Sequence, residues 1–163
     1  MKAVTNSSIL IALSTIGRLS LLNRRFPEGV IVPRAVWQEV VETGVGQPGA
    51  REVASASWLV VEEAADRNLV DALEIELDFG EAEAIALFCQ QPVEALLLDE
   101  KNARRVARRM GLPILGTVGI LIWAKQNGLI SVLREQLDEL QVRGQFRLSK
   151  LVYEESLRRV GEM

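Results

Sequence analysis

The stretch Gly80-Glu81-Ala82-Glu83-Ala84-Ile85-Ala86-Leu87, followed by Leu96-Leu97-Leu98-Asp99-Glu100, decides the fold of this chain. The first segment opens a helix with carboxylates, and the second ends an apolar strand with further carboxylates. In an open α/β sheet, ligands bind beyond the carboxyl ends of the strands. We therefore expect the two segments to converge on one acidic site, whose oxygens suit a divalent metal ion.

Strand and helix patterns alternate on both sides of this stretch. Strands are predicted at residues 3–5, 30–32, 58–61, 95–98 and 114–115. Helices between them include residues 35–42, 67–77, 101–110 and 118–126. Repeated strand-helix-strand units predict an α/β fold with a mainly parallel, twisted sheet flanked by helices.

The domain organisation is predicted to be simple. No composition break or long linker divides the chain, so residues 1–163 are expected to form a single domain. The segment from about 131 to 163 is amphipathic and helical, with a break near Gly144. This segment is expected to pack on the domain or on a partner.

Composition removes several classes of chemistry. The chain has no histidine, which excludes Ser-His-Asp and Cys-His nucleophile systems and histidine-ligated zinc. A net charge of −3 gives no overall attraction to polyanions, so any contact with nucleic acid depends on a local patch. Carboxylate and metal chemistry is what remains.

The single cysteine and the lengths of the apolar runs indicate the cellular compartment of the protein. Cys89 follows an apolar run and is expected to be a small buried side chain, and one cysteine allows no intrachain disulfide. The first residues lack the features of a signal peptide, and no run reaches the length of a membrane span. A cytoplasmic protein without a membrane partner is therefore expected.

Five segments carry a resemblance to a known family. They are Asn6 to Leu13, Val32 to Val40, Gly80 to Leu87, Leu97 to Glu100, and Gly116 to Gly119. In this order they resemble the PIN-domain family, particularly its VapC-like toxin branch. The resemblance implies a three-layer PIN-like fold and a metal-dependent endoribonuclease that hydrolyses RNA with Mg²⁺ or Mn²⁺. It also implies a small antitoxin protein as partner and a homodimer.

The same resemblance assigns the site residues by position. The family's first acidic position falls on Asn6, its second on Glu39, its third on Glu81 or Glu83, and its fourth on Asp99. The four carboxylates are then the expected catalytic and metal-binding groups, with Asn6 as a neutral metal ligand. Ser7 and Thr117 are expected to hydrogen-bond to the metal ligands without contacting the metal ion.

Asparagine at the first position leaves two interpretations open. An amide oxygen recovers only part of the attraction between a carboxylate and a divalent ion. One interpretation is a weak or Mn²⁺-preferring nuclease. The other is a catalytically impaired PIN-like module that binds RNA or protein.

Structural explanations compete with these assignments. Glu81 and Glu83 could simply favour the positive end of a helix dipole, and Asp99 could cap the helix predicted at residues 101–110. A phosphoacceptor receiver domain is a further alternative, but the residues after the first strand lack its acidic pair. Nucleotide-cofactor binding is disfavoured, since neither glycine-rich phosphate motif occurs.

Basic side chains recur along one face of the helix predicted at residues 101–110. Lys101, Arg104, Arg105 and Arg108 are the candidates for RNA binding, and Arg109 continues the row. The structural alternative is a solvated face opposite a buried one. As an RNA contact, the row would hold a phosphate backbone beside Asp99.

Overall fold

The computed structural model describes all of residues 1–163 and contains one five-stranded sheet. The strands are β1 (Lys2–Thr5), β2 (Gly29–Pro33), β3 (Leu59–Glu62), β4 (Ala95–Leu97) and β5 (Ile114–Leu115). Their order in the sheet is β3-β2-β1-β4-β5, and every neighbouring pair is parallel. The predicted α/β class is confirmed, and the sheet is wholly parallel.

Helices cover both faces of the sheet. They are α1 (Ser7–Thr15), α2 (Ser20–Arg25), α3 (Arg34–Trp37), α4 (Ala50–Ser55), α5 (Arg67–Leu73), α6 (Phe79–Gln90), α7 (Lys101–Arg109), α8 (Thr117–Gln126), α9 (Leu133–Val142) and α10 (Lys150–Arg159). None of them combines the length and the apolar character that a membrane crossing requires.

Two hydrophobic cores lie on opposite sides of the sheet, which gives the three-layer arrangement. Alternate strand residues point to opposite faces, so Ala3 belongs to one core and Val4 to the other. The first core contains 26 buried residues, including those of α1, α8 and α9. The second contains 15, mainly from α6, α7 and the strands. Both faces of the parallel sheet are therefore covered, as its apolar strands require.

The C-terminal segment packs on the domain. Leu133, Leu137 and Leu140 of α9 and Leu157 of α10 are fully buried in the first core. Near the chain end, the Glu162 carboxylate accepts hydrogen bonds from the backbone amides of Leu133, at 2.6 Å, and Arg134, at 3.0 Å. These contacts fix the segment against α8 and α9.

Three local predictions differ from the structure. The helix predicted at residues 35–42 is α-helical only to Trp37 and continues as a π-helix over Gln38–Thr43. The helix predicted at 67–77 ends at Leu73, and turns carry the chain on to the buried Leu77. Cys89 is exposed rather than buried, because the last turn of α6 extends beyond the second core.

Candidate active site

The candidate site lies where the chain changes direction across the sheet. From β1 the chain proceeds outward through β2 and β3, and it then returns to add β4 on the other side of β1. The carboxyl ends of β1 and β4 flank this switch point, which is the usual place of a ligand site in an open α/β sheet. A cavity of about 400 Å³ opens there.

We call this opening the acidic cavity. Its lining consists of Asn6, Ser7, Val36, Glu39, Asp78, Gly80, Glu81, Glu100, Lys101 and Asn102. Four of these side chains are carboxylates, one is a cation, and one is apolar. The cavity therefore brings together Asn6, Glu39 and Glu81, which the sequence predicted to share a site, and adds Asp78 and Glu100, which it did not.

Asn6 is held in place at the end of β1. Its backbone amide donates to the Leu97 carbonyl, at 3.2 Å, which joins the ends of β1 and β4. The residue is 2% exposed, and the Ser8 hydroxyl donates to Asn6 Oδ1 at 2.9 Å. Ser7 begins α1 and lines the cavity beside Asn6. The amide is therefore nearly buried, with one internal partner and one side toward the cavity.

Glu39 reaches the cavity from the π-helix that follows α3. A Cβ atom at Gly80 would lie 3.3 Å from Val36 Cγ2 and 3.9 Å from Glu39 Oε2. Because Gly80 has no side chain, the beginning of α6 can approach this helix closely. π-Helical turns are frequent at functional sites, where they redirect a side chain. Glu39 and Glu81 thus come from different elements and face one cavity.

Glu81 is oriented by a capping box at the start of α6. Asp78 Oδ1 accepts from the Glu81 amide, at 2.8 Å, and Glu81 Oε1 accepts from the Asp78 amide, at 3.2 Å. The second oxygen of Glu81 has no hydrogen bond within the chain. The Asp78-Phe79-Gly80-Glu81 pattern fits the usual capping spacing, so this sequence signal could have identified Asp78.

The electrostatics of the cavity favour a bound cation. Burial raises the pKa of Glu81, while the backbone hydrogen bond from Asp78 acts in the opposite direction. The neighbouring carboxylates of Asp78, Glu100 and Glu39 each raise this pKa further. Lys101 is the one cationic side chain that lines the cavity. A proton or a metal ion would relieve this repulsion.

The raised pKa predicts how stability depends on pH. The folded protein keeps a proton on Glu81 at pH values where the unfolded chain has lost it, so this contribution to stability is present below about pH 4.5 and is lost as pH rises through the folded pKa. We expect the metal-free protein to lose less stability as pH rises above about 4.5 when Glu81 is replaced by glutamine. Thermal denaturation with a chelator present measures this.

The control for the pH experiment is Glu74→Gln. Glu74 is exposed at the end of α5 and has no ion pair or side-chain hydrogen bond. Asp99 also has a raised pKa, so only the difference between variants isolates Glu81. An identical pH dependence in wild type, Glu81→Gln and Glu74→Gln would contradict the prediction.

Glu83 does not line the acidic cavity. It is 1% exposed, and its carboxylate accepts from the backbone amides of Ala35, at 2.9 Å, and Ala64, at 3.3 Å. Arg67 Nη1 lies 3.8 Å away. Residues two apart on a helix point in different directions, so Glu81 and Glu83 cannot share a partner unless it sits at the helix end. Through these contacts Glu83 joins α6 to the chain after β2 and β3, apart from the other predicted ligands Asn6, Glu39 and Glu81.

Asp99 is also directed away from the acidic cavity. Its Oδ1 accepts from the Thr117 amide, at 2.9 Å, and its Oδ2 accepts from the Thr117 hydroxyl, at 2.6 Å. Burial raises the pKa of Asp99, while Thr117 and Arg104 act in the opposite direction. Asp99 thus fixes the beginning of α8 rather than capping α7. Consecutive residues in extended chain point to opposite sides, so Glu100 takes the place facing the cavity.

The donors fit a hard divalent cation in kind, because they are carboxylate and amide oxygens. No group of three or more acidic, cysteine or histidine side chains is placed closely enough to hold a metal ion as it stands. One oxygen of Glu81 is committed to the Asp78 amide, and Asn6 Oδ1 accepts from Ser8. Ligation would therefore require side-chain adjustment within the cavity.

The basic row on α7 divides between two surfaces. Ala103, Val106 and Ala107 are buried, as the amphipathic pattern predicts. Arg109 forms an ion pair with Glu76, at 2.5 Å, and Arg105 lies near the same carboxylate. Lys101, Arg104 and Arg108 line a neighbouring groove instead. Three of the four candidate RNA contacts thus line the groove, and Arg105 does not.

Of the comparisons with known proteins, the one with protein families gives a match that agrees with this architecture. No curated protein and no solved structure gives a significant match. A family model, DUF3368, described as a PIN domain, matches residues 2–162. The match spans nearly the whole chain, and the parallel three-layer fold is consistent with it. The chain therefore belongs to the PIN-domain family, whose fold is of the nuclease type.

Proposed function

We propose that the protein is a divalent-metal-dependent endoribonuclease of the VapC type, which hydrolyses phosphodiester bonds in RNA. The observation that carries this proposal is the acidic cavity, which collects Asn6, Glu39, Glu81 and Glu100 at the switch point of a PIN domain. Carboxylates in that position can hold a hard cation against a phosphate.

Glu39 and Glu81 are the proposed principal metal ligands, with Glu100 as a further carboxylate and Asn6 as a neutral oxygen donor. Glu83 and Asp99 stand outside this set because their oxygens are used by backbone amides and by Thr117. Mg²⁺ or Mn²⁺ suits these donors. When bound, such an ion lowers the pKa of water and neutralises charge on the phosphate.

Other residues of the cavity support this chemistry. The Asp78 amide holds one oxygen of Glu81 and directs the carboxylate toward the opening. Ser8 fixes the Asn6 amide through its hydroxyl. Lys101 at the start of α7 supplies a cation at the rim, where it can contact a phosphate adjacent to the cleaved bond.

A cleavage assay with purified protein tests the proposal. RNA should be cut in the presence of Mn²⁺ or Mg²⁺ and left intact with a chelator, and Glu39→Gln should lower the rate by about tenfold or more. Gel electrophoresis of a labelled single-stranded RNA measures both effects. Glu74→Gln, which removes an exposed carboxylate outside the cavity, is the matched control. Equal cleavage by all three proteins would show a contaminating nuclease and refute the assignment.

A catalytically impaired PIN module that binds RNA or protein is the second candidate. Asn6 at the first ligand position favours it, as does the absence of a group of three acids placed for a metal. This candidate predicts RNA binding without metal-stimulated cleavage and no heat of Mn²⁺ binding in calorimetry. The first candidate predicts both signals.

The role as toxin of a toxin-antitoxin pair, the small antitoxin partner, the homodimer and the cytoplasmic location are parts of the same proposal. They are supported by the family and by the resemblance of the N-terminal segment to the VapC-like branch. Co-purification with the product of a short neighbouring reading frame tests the antitoxin. Light scattering on the purified protein tests the homodimer.

A further inference from the structure

A second groove adjoins the acidic cavity. We call it the C-terminal groove, because α7, β5 and α8 form one side and residues 146–159 form the other. Its volume is about 1030 Å³, compared with about 400 Å³ for the acidic cavity. Lys101 lines both openings, and the consecutive residues Asp99 and Glu100 line one each. The two openings therefore adjoin each other at the end of β4.

Five cationic side chains line the C-terminal groove, and none of them is in a salt bridge. They are Lys101, Arg104, Arg108, Arg147 and Arg159. Of the fourteen basic side chains elsewhere, seven, among them Arg34, Arg67 and Arg143, are paired with carboxylates within 4 Å, and the other seven are dispersed along the chain without such a pair. The groove thus concentrates unpaired positive charge in a chain whose net charge is −3.

No acidic side chain of the groove lies within 4 Å of these cations, although the charge of Asp99 acts on Arg104 from farther away. Asp99 uses both oxygens on Thr117, and Glu155 lies 3.5 Å from Arg158, which is outside the groove. Arg104 donates to the Leu98 carbonyl, at 2.7 Å, so its guanidinium is fixed at the junction with the acidic cavity. Burial, and next the charge of Arg108, lower the pKa of Arg104, which shows that the two cations are close.

The groove also has an apolar wall. Phe146 packs against the first core and presents part of its surface to the groove, together with Leu148, Leu151 and Val152. Aromatic and apolar surface beside a row of cations is the usual combination in sites for single-stranded nucleic acid. A purely electrostatic patch would not require it.

We propose that the C-terminal groove binds the backbone of single-stranded RNA on one side of the bond presented to the acidic cavity, with Arg147 and Arg159 completing a cationic track that begins at Lys101, Arg104 and Arg108. This inference rests on the proposed function, since the acidic cavity supplies the position of the cleaved bond. It assigns residues 146–159 to substrate binding in addition to packing.

Fluorescence anisotropy with a chelator present tests the track without any cleavage. The probes are labelled single-stranded RNAs of about 4 and about 12 nucleotides. The double variant Arg147→Ala/Arg159→Ala should weaken binding of the longer RNA by about tenfold and reduce the slope of log Kd against log salt by about 1.4. Binding of the shorter RNA should change much less, because it cannot span both openings.

The matched control is Arg143→Ala/Arg158→Ala, which removes equal charge from paired arginines outside the groove. Equal weakening by the two double variants would overturn the inference, because it would show a bulk charge effect. Unchanged binding in the groove variant would also overturn it, as would tighter binding of a polyglutamate peptide than of RNA. If the groove binds RNA but metal produces no cleavage, the proposed nuclease activity fails and the RNA track stands.

Discussion

Replacing Asn6 with aspartate is expected to raise the affinity for Mn²⁺ by about a hundredfold, which is roughly 2.7 kcal/mol. A full negative charge about 4 Å from a divalent ion, at an effective dielectric constant of about 20, contributes roughly 8 kcal/mol before desolvation and repulsion are subtracted. Both opposing costs are large here, since Asn6 is 2% exposed and Glu39, Glu81 and Glu100 share the cavity. Isothermal titration calorimetry measures the affinity.

The same substitution should lower the stability of the metal-free protein, because it adds a carboxylate among carboxylates. Added Mn²⁺ should then raise the melting temperature more in Asn6→Asp than in wild type. Asn102→Asp is the control, because it places the same charge at the exposed rim of the cavity. If the two variants gain Mn²⁺ affinity equally, the effect is one of general charge and Asn6 is not a ligand position.

Much of the fold was predictable from local patterns. The strands are short apolar runs, and the helices between them show helical periodicity in their apolar residues. A helix between successive strands predicts parallel strands with both faces of the sheet covered. The π-helix at Gln38–Thr43 could not be predicted from local patterns, since it forms where the chain packs against α1 and α4. The close approach of Gly80 to Val36 and Glu39 is likewise a tertiary contact that no local pattern predicts.

The candidate site was predictable for residues whose place at the end of a strand or the start of a helix decides where the side chain points. Asn6 and Glu81 each sit at an element boundary on the ligand side of the sheet, and both line the acidic cavity. The choice between Asp99 and Glu100 depends on how the chain continues after β4 ends at Leu97, because consecutive residues in extended chain point to opposite sides. Sequence patterns rarely define strand ends that closely.

The C-terminal groove could not be predicted from the sequence, because it is formed by tertiary packing. Its two sides are separated by many residues in the chain, and they meet only because α9 and α10 pack back on the first core. The basic row on α7 was visible in the sequence. The sequence did not show that Arg109 pairs with Glu76 while other members of the row line the groove. Arg147 and Arg159 have no periodic signal that connects them with α7.

Truncation of Glu83 to alanine is expected to cost about 2 to 5 kcal/mol of unfolding free energy. Glu83 is 1% exposed, and its carboxylate accepts hydrogen bonds from the backbone amides of Ala35, at 2.9 Å, and Ala64, at 3.3 Å. Both amides would lose their acceptor, and the Ala64 hydrogen bond is fully buried. Urea denaturation followed by circular dichroism measures the loss.

Glu83→Gln should lose less stability than Glu83→Ala, because the amide keeps one acceptor oxygen and the same volume. Exposed Glu74→Ala should stay within about 0.5 kcal/mol of wild type. Because Glu83 does not line the acidic cavity and its oxygens accept from backbone amides, Glu83→Gln should also retain wild-type affinity for Mn²⁺. An unchanged unfolding free energy in Glu83→Ala, together with loss of Mn²⁺ binding, would make Glu83 a metal ligand and refute its assignment as the connection between α6, α3 and the chain after β3.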